Sequence, residues 1–208
     1  MLVHPWDASV GDDEWRDFVA TQGFGQLIAP GRDRQVPVVV PTQYVLEGEE
    51  VLLHLARPNP VWHAIDENPT VLLAVAGDWA YIPSAWKAIA DEDPALGIPT
   101  TYYAAAQLTC AATVVDDKDG KLAILRRQLA QFEPDVPHAD PEAHLRSLPS
   151  IRGLRLAIRE VKAKFKYGGN VDIDHRVAVA DRLADRDRHD DAAARAHLLR
   201  RSPELTRE

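Results

Sequence analysis

Apolar residues repeat at helical spacing near both ends of the chain and at strand spacing between them. Trp15, Phe18 and Val19 share one face of a helix that begins in an acidic run and ends at Gly23. A second amphipathic helix is predicted over DDKDGKLAILRRQLAQFE, which carries a stripe of leucines. The charge-dense stretch that closes the chain predicts a helical tail over residues 184–208.

Runs rich in Val, Leu, Ile, Thr and Tyr lie between these helices and are bounded by turn residues, which is typical of strands. The runs are FGQLIAP, QVPVVVPTQYVL, EVLLHLA, TVLLAVAG, DWAYIPSAW, TTYYAAAQLTCAATVV and GLRLAIREVKAKFKYGG. Pro37 and Pro41 predict that the second run is an edge or bulged strand, because proline donates no ladder hydrogen bond. The last run also fits a helix in part, and we interpret it as a strand with a bulge near Arg159. Six or seven strands and few intervening helices predict a mainly β fold, a small antiparallel barrel with flanking helices.

Composition narrows the function classes. The chain has 208 residues, so we expect one main domain. Its net charge of -8 and pI near 5.5 argue against non-specific binding of nucleic acid. The single cysteine, Cys110, forms no internal disulfide and favours a reducing cytoplasm, and we expect its thiol to be buried and inert. No apolar run reaches the length of a membrane span, and the N-terminus lacks the pattern of a signal peptide.

The junction in HLARPNPVW is a candidate anion site. A short helix is predicted there, with Asn59 as its cap and Pro60 at its first position. His54 and Arg57 lie at the preceding strand end, where free backbone donors and a guanidinium group suit a phosphate. The alternative is that Arg57 is a surface charge and Asn59 only a cap.

The stretch VKAKFKYGGN is locally basic in an acidic chain. Lys162, Lys164 and Lys166 share one face of a strand, and such lysines either protect a solvated sheet edge or complement a ligand phosphate. Gly168 and Gly169 then allow the backbone to approach a ligand closely. The spacing alone leaves both interpretations open, and the glycines favour a ligand.

Other chemistry is less clearly indicated. Tyr81, Trp86, Tyr102 and Tyr103 fit either the wall of a flat, conjugated ligand or the barrel core. The histidines, including His138 and His144, lack the spacing of a metal site, so no resident metal is predicted. No GxSxG, Walker or GxGxxG motif is present. The loop AIADEDPALGIP is predicted to be exposed.

Several segments together resemble the PaiB-like family of FMN-binding proteins, often labelled negative transcriptional regulators. The segments are LLHLARPNPVW, AYIPSAW, PTTYYAA and KFKYGGNVDIDHRVAVADRL, in the order of the family. The resemblance implies an FMN-binding split β-barrel over residues 1–183, followed by the tail, and a homodimer with the flavin at the subunit interface.

The resemblance also implies cofactor contacts at the matching positions. These are His54, Arg57, Asn59 and Pro60; Tyr81, Ser84 and Trp86; Pro99, Thr100 and Tyr103; and Lys166 and Asn170. Lys164 joins them from the basic strip, whose lysines we expect to hold a ligand phosphate, or alternatively a propionate, with Arg57 opposite. Tyr167, Gly168 and Gly169 replace the Leu, Ser and Gln of the family's KLSQN motif, and Thr101 and Tyr102 replace the Trp and Asn of its PTWNY segment. Backbone donors at the glycines would then replace two side chains.

Three functions follow from this resemblance. The first is a cytoplasmic, homodimeric flavoprotein, with flavin-dependent oxidoreduction as its activity if it is an enzyme. The second is a haem-dependent enzyme on the same fold, as in piperazate synthases, with His63 as the axial ligand. The third is transcriptional regulation through DNA, which the acidic charge disfavours.

Overall fold

The computed structural model describes residues 1–87, 93–135, 140–188 and 190–201. Its α-helices are α1 Gly11–Gln22, α2 Val61–Glu67, α3 Ser84–Lys87, α4 Lys118–Phe132, α5 Ile173–Arg186 and α6 Asp191–Arg200. Its strands are β1 Phe24–Ala29, β2 Val38–Gln43, β3 Val45–Glu47, β4 Glu50–Ala56, β5 Thr70–Ile82, β6 Thr100–Val115 and β7 Ile151–Lys166. Short 3-10 helices span Pro5–Asp7, Pro94–Leu96 and Pro141–Ser150.

The strands of the described residues form one open antiparallel sheet in the order β2-β1-β5-β6-β7-β4-β3. β2 lies at one edge and pairs with β1 alone, Phe24 opposite Gln43 and Ala29 opposite Val38. The edge position predicted from Pro37 and Pro41 is therefore confirmed. At the other edge, β3 and β4 form a hairpin around the turn at Gly48.

The chain divides into two compact units. One consists of Trp15–Val75 and Ala106–Lys162, and we call it the α4 unit. Its core includes Val45, Leu52, Val115 and Ile124, so the β3–β4 hairpin packs on the apolar stripe of α4. The buried Tyr44 hydroxyl donates a 2.7 Å hydrogen bond to the Val19 carbonyl, which ties α1 into this unit.

The other unit consists of Met1–Glu14, Ala76–Ala105 and the chain from Ala163 onward, and we call it the α5 unit. Phe165 and Tyr167 are buried at the end of β7, and the Tyr167 ring stacks on His197 of α6 with centroids 4.8 Å apart. Buried Val179 and Leu183 of α5 complete this core. The carboxyl end of β7 is thus fixed on its apolar side.

Most predicted elements are confirmed, and a few differ. DWAYIPSAW is not a separate strand, because β5 continues from Thr70 to Ile82 and residues 84–87 then form α3. β7 spans Ile151–Lys166 as one strand, as predicted, and the bulge near Arg159 stays a prediction. Residue 184, the predicted start of the tail, lies within α5, and the division into domain and tail stays a prediction. Residues 88–92 of the predicted loop lie outside the described residues. No described helix is long and apolar enough to cross a membrane.

Candidate functional site

Basic side chains from three elements of the α5 unit converge on one place. Lys166 is the last residue of β7, and its ammonium donates a 2.6 Å hydrogen bond to Thr100 Oγ1 at the start of β6. Lys87 ends α3, and its Nζ lies 3.3 Å from Nε2 of His175 in the first turn of α5. Lys164 and Arg176 lie beside these residues, and we call the five side chains the basic cluster.

Burial and mutual repulsion make the basic cluster electrostatically costly. Burial lowers the pKa of Lys166, and the neighbouring Lys164 lowers it further. The pKa of Lys87 is lowered by burial and then by Lys166, and that of His175 by burial and then by Lys87. Each group is therefore held where its charged form is disfavoured, which is typical of a site that receives an anion.

Two carboxylates partly offset this charge. Asp7 lies 3.7 Å from Lys164, whose ammonium also donates to the Leu2 carbonyl. Asp172 caps α5 by accepting a 2.8 Å hydrogen bond from the His175 amide. Among the described residues, the three lysines of the basic cluster thus outnumber these two carboxylates, and an excess of positive charge remains.

A tight turn brings the backbone against a buried hydroxyl beside the basic cluster. Gly168 has φ of +76°, and a Cβ there would lie 2.5 Å from the Tyr102 hydroxyl oxygen. That hydroxyl is buried and has no hydrogen-bond partner among the described residues. Burial also raises the pKa of Tyr102 to about 12, so the group is a neutral donor. A Cβ on Gly169 would meet the Trp6 carbonyl oxygen.

The donor set of this site fits the phosphate of FMN. Phosphate accepts charge-assisted hydrogen bonds from ammonium groups and ordinary ones from hydroxyls. The basic cluster supplies the first kind, and the unsatisfied Tyr102 hydroxyl supplies the second. A buried donor without a partner is rare in a protein core. The Tyr102 hydroxyl is therefore the observation that best supports a bound phosphate at this site.

The predicted aromatic wall is only partly exposed. Tyr81 is 50% exposed, whereas Tyr102 is fully buried. Trp86 is half-buried, with the Arg186 guanidinium 4.6 Å from its ring centroid. Tyr103 is half-buried under the Lys164 ammonium, 5.7 Å from the ring centroid. Core packing therefore holds for Tyr102, and a stacking role for the other three stays a prediction.

The remaining candidates of the α5 unit lie at the ends of elements. Ser84 begins α3 and is half-buried, and Asn170 is exposed in the turn after Gly168. Pro99 directly precedes β6. Their proposed contacts with a cofactor stay predictions.

The four candidates in HLARPNP belong to the α4 unit and make local contacts. His54 Nδ1 lies 2.5 Å from Gln128 Oε1. Asn59 Oδ1 accepts a 3.0 Å hydrogen bond from the Val61 amide, but the cap residue of α2 is Pro60, which was predicted to be its first helical residue. Arg57 makes two hydrogen bonds to Asp116, at 2.9 and 2.5 Å. Their roles toward a cofactor stay predictions.

The other predicted groups lie as follows. His63 is exposed on α2, and Cys110 is fully buried, where burial raises the thiol pKa to about 12, as expected of an inert cysteine. His138 lies outside the described residues. Within the residues that the structure describes, no group of three potential ligands could hold a metal ion.

Sequence reasoning missed Lys87, His175 and Arg176. Lys87 follows the aromatic segment with no repeat or motif to mark it. His175 and Arg176 had a usable signal, because Asp172 precedes an amphipathic run at the position of a helix cap, which places the following residues in a first turn.

The fold and a family match together define the class of protein. The open antiparallel sheet with flanking helices is the split β-barrel of flavin-binding proteins, which confirms the fold prediction. The chain belongs to the FMN_bind_2 family, described as "Putative FMN-binding domain", which it matches over residues 3–160. This match confirms the PaiB-like resemblance and FMN as the predicted cofactor. It ends before Lys164, so the basic cluster extends beyond it.

Solved structures share the fold at low sequence identity. The conserved hypothetical protein Rv2991 from Mycobacterium tuberculosis is 14% identical, with a TM-score of 0.61 over 83% of this chain and 95% of that one. The FAD and heme binding protein from Mycobacterium smegmatis is 19% identical, with a TM-score of 0.60 over 83% and 79%. The flavocytochrome Anf3 from Azotobacter vinelandii is 18% identical, with a TM-score of 0.59 over 81% and 73%. No curated protein matches the sequence.

Proposed function

We propose that this protein binds FMN and that the basic cluster holds the FMN phosphate. The observation that carries the proposal is the convergence of Lys87, Lys166 and His175, all with lowered pKa values, beside the unsatisfied Tyr102 hydroxyl. A phosphate dianion would match the excess positive charge and supply the missing acceptor.

Each residue of the site would have its own role in binding FMN. Lys166, already oriented by Thr100, and Lys87 would donate to the phosphate, and Lys164 would add long-range attraction. The Gly168 turn would let backbone amides approach the ligand where the family has larger side chains. Tyr81, Ser84, Trp86, Tyr103 and Asn170 are the proposed contacts to the rest of the flavin.

Flavin-dependent oxidoreduction is the activity we propose. Bound FMN supplies hydride or single-electron transfer at its ring, while the protein supplies binding, orientation and electrostatics.

A cytoplasmic homodimer with the flavin at the interface is part of the proposal. Exposed apolar side chains on β5 support an interface, since Trp79 is 59% exposed and Tyr81 lies two residues further along the same face of the strand. The single buried cysteine is compatible with a reducing compartment.

Haem is the alternative cofactor. The structural neighbour from Mycobacterium smegmatis is described as binding both FAD and haem, and His63 is exposed and free to approach a ligand from solvent. Transcriptional regulation through DNA has less support, because the net charge is -8.

An absorbance spectrum of the purified protein, before and after addition of FMN, tests the proposal. We expect flavin absorbance that remains with the protein after gel filtration, and an elution volume of a dimer. A Soret band that is lost in His63→Ala would favour haem instead. Binding of the protein's own promoter region in a gel shift that persists as salt is raised would favour regulation.

A further inference from the structure

A cavity of about 480 Å³ in the α4 unit has no part in the proposed phosphate site. Its walls come from the end of β4, the start of α4 and the 3-10 helix Pro141–Ser150. We call it the Asp116 cavity, after the carboxylate in its lining. A volume of this size is within the range of small-molecule sites in proteins.

Three cations surround the single carboxylate of the Asp116 cavity. Arg57 binds it through both terminal nitrogens, Lys121 Nζ lies 3.2 Å from Oδ1, and Arg152 Nε lies 3.3 Å from Oδ2. The hydrogen bonds from Arg57 hold the pKa of Asp116 well below its usual range, and Lys121 adds to this effect. Asp116 is therefore ionised, yet it neutralises only one of the three positive charges.

A further cation in the lining of this cavity, Lys118, has no partner among the described residues. Lys118 lines the cavity from the first residue of α4, and no described residue forms a hydrogen bond or ion pair with it. The nearby Asp117 carboxylate accepts a 2.8 Å hydrogen bond from the Gly120 amide and so caps α4. The ammonium of Lys118 is thus available to a ligand, near a helix N-terminus that also favours anions.

Another wall of the Asp116 cavity is apolar. It is formed by Leu145, Leu148 and Pro149, and Leu145 is 39% exposed although it is a large aliphatic side chain. Arg57 Nε donates a 2.6 Å hydrogen bond to the Pro149 carbonyl, which fixes this wall beside the cations. A ligand that fits both walls has an anionic group at one end and a compact apolar body at the other.

We propose that the Asp116 cavity is a second ligand site, which binds a small organic carboxylic acid. The carboxylate would bind Lys118 and share the cations around Asp116, and its apolar body would cover Leu145 and Pro149. An anionic group fits because Asp116 offsets only one of the positive charges of Arg57, Lys121 and Arg152. This assigns Arg57 to the acid, although the family resemblance assigns it to the flavin.

Isothermal titration calorimetry tests this proposal. 3-Phenylpropionate is titrated into the protein as purified and, separately, into FMN-saturated protein. The neutral 3-phenylpropionamide is the control ligand, and we expect it to bind at least about tenfold more weakly. Lys118→Ala should weaken acid binding about threefold, since Lys118 is exposed, and should leave flavin absorbance unchanged. Arg127→Ala, on the same helix and paired with Glu47, should have no effect.

Arg57→Ala adds a stronger version of the same test, with an expected loss of at least about tenfold in acid binding. Equal binding of the acid and the amide, or no effect of Lys118→Ala, would overturn the inference. Competition between FMN and 3-phenylpropionate would also overturn it, because the cavity would then be the flavin site. The protein could also bind the acid more tightly than the amide, respond to Lys118→Ala and Arg57→Ala as expected, and yet take up no FMN. That result would support this inference and would rule out the flavin proposal.

Discussion

Gly168 lies so close to Tyr102 that a single added carbon would overlap the tyrosine hydroxyl at 2.5 Å. The glycine has φ of +76°, and its carbonyl accepts a 3.1 Å hydrogen bond from the Val171 amide, which closes the turn after β7. This turn leads from Lys166 to the start of α5, where His175 lies. The close approach therefore links the geometry of the proposed phosphate site to the buried Tyr102 hydroxyl, which has no partner among the described residues.

Gly168→Ala should destabilise the protein more than a glycine substitution with backbone strain alone. The positive φ costs about 1 to 2 kcal/mol for an L-residue, and the overlap with Tyr102 adds to that. Gly48→Ala is the matched control, because Gly48 has φ of +58° and no atom within 4 Å of its Cβ position. Urea unfolding measures both variants, and equal losses would show that the Tyr102 contact is loose.

Tyr102→Phe should act in opposite directions on stability and on FMN binding. An unsatisfied buried hydroxyl costs about 1 to 3 kcal/mol, so its removal should leave the free protein as stable or more stable. The same change removes a donor to the phosphate and should weaken FMN binding about fivefold to tenfold. Thermal unfolding with and without FMN measures both effects. A variant that is less stable and binds FMN normally would contradict the proposed role.

Lys166→Gln should weaken FMN binding by about 10-fold to 100-fold, as expected for a hydrogen bond to a charged group. Lys162→Gln is the control on the same strand, because Lys162 is 52% exposed at its side chain and pairs with Glu160 at 3.1 Å. Fluorescence titration with FMN compares the two variants. Equal losses in both would mean that general positive charge, rather than the site, attracts the cofactor.

Stability of the cofactor-free protein should fall as pH is lowered from about 7.5 to about 5.5. Burial lowers the pKa of both His175 and His197 from the ordinary value of 6.5. Below about 6.5 the unfolded chain therefore binds protons that the folded chain does not, and the folded state loses stability. The melting temperature across this range measures the effect.

The histidine responsible for this pH dependence can be identified by substitution. His197→Phe keeps an aromatic ring on Tyr167 and should reduce the pH dependence, whereas His63→Gln at an exposed position should not. Bound FMN should also reduce it, since a phosphate favours protonated His175. A melting temperature that rises with acidification over this range would contradict the assignment.

Much of the fold could be predicted from the sequence because the elements carry local signals. The acidic start and Gly23 mark α1, the prolines mark the edge strand β2, and the Thr, Tyr and Val residues at the ends of TTYYAAAQLTCAATVV mark β6. The run DWAYIPSAW misled because Pro83 divides it into a strand end and a short helix, and no period shows where one becomes the other.

The candidate site could be predicted only in part. Lys164, Lys166 and Thr100 were found because they lie in a local motif or match a family segment. Lys87 and His175 come together across 88 positions of sequence, a proximity that no local pattern encodes. The contacts of Arg57 with Asp116 are hidden from sequence reasoning for the same reason, since the two residues are 59 positions apart.

The central claim is that this protein recognises the phosphate of FMN through the basic cluster. The most direct measurement compares the affinities of FMN and riboflavin, which share the ring system and differ in the phosphate, for the cofactor-free protein. We expect FMN to bind at least about 30-fold more tightly, and Lys87→Gln with Lys166→Gln to bring the two affinities close together. Equal affinities for FMN and riboflavin in the unmodified protein would contradict the account.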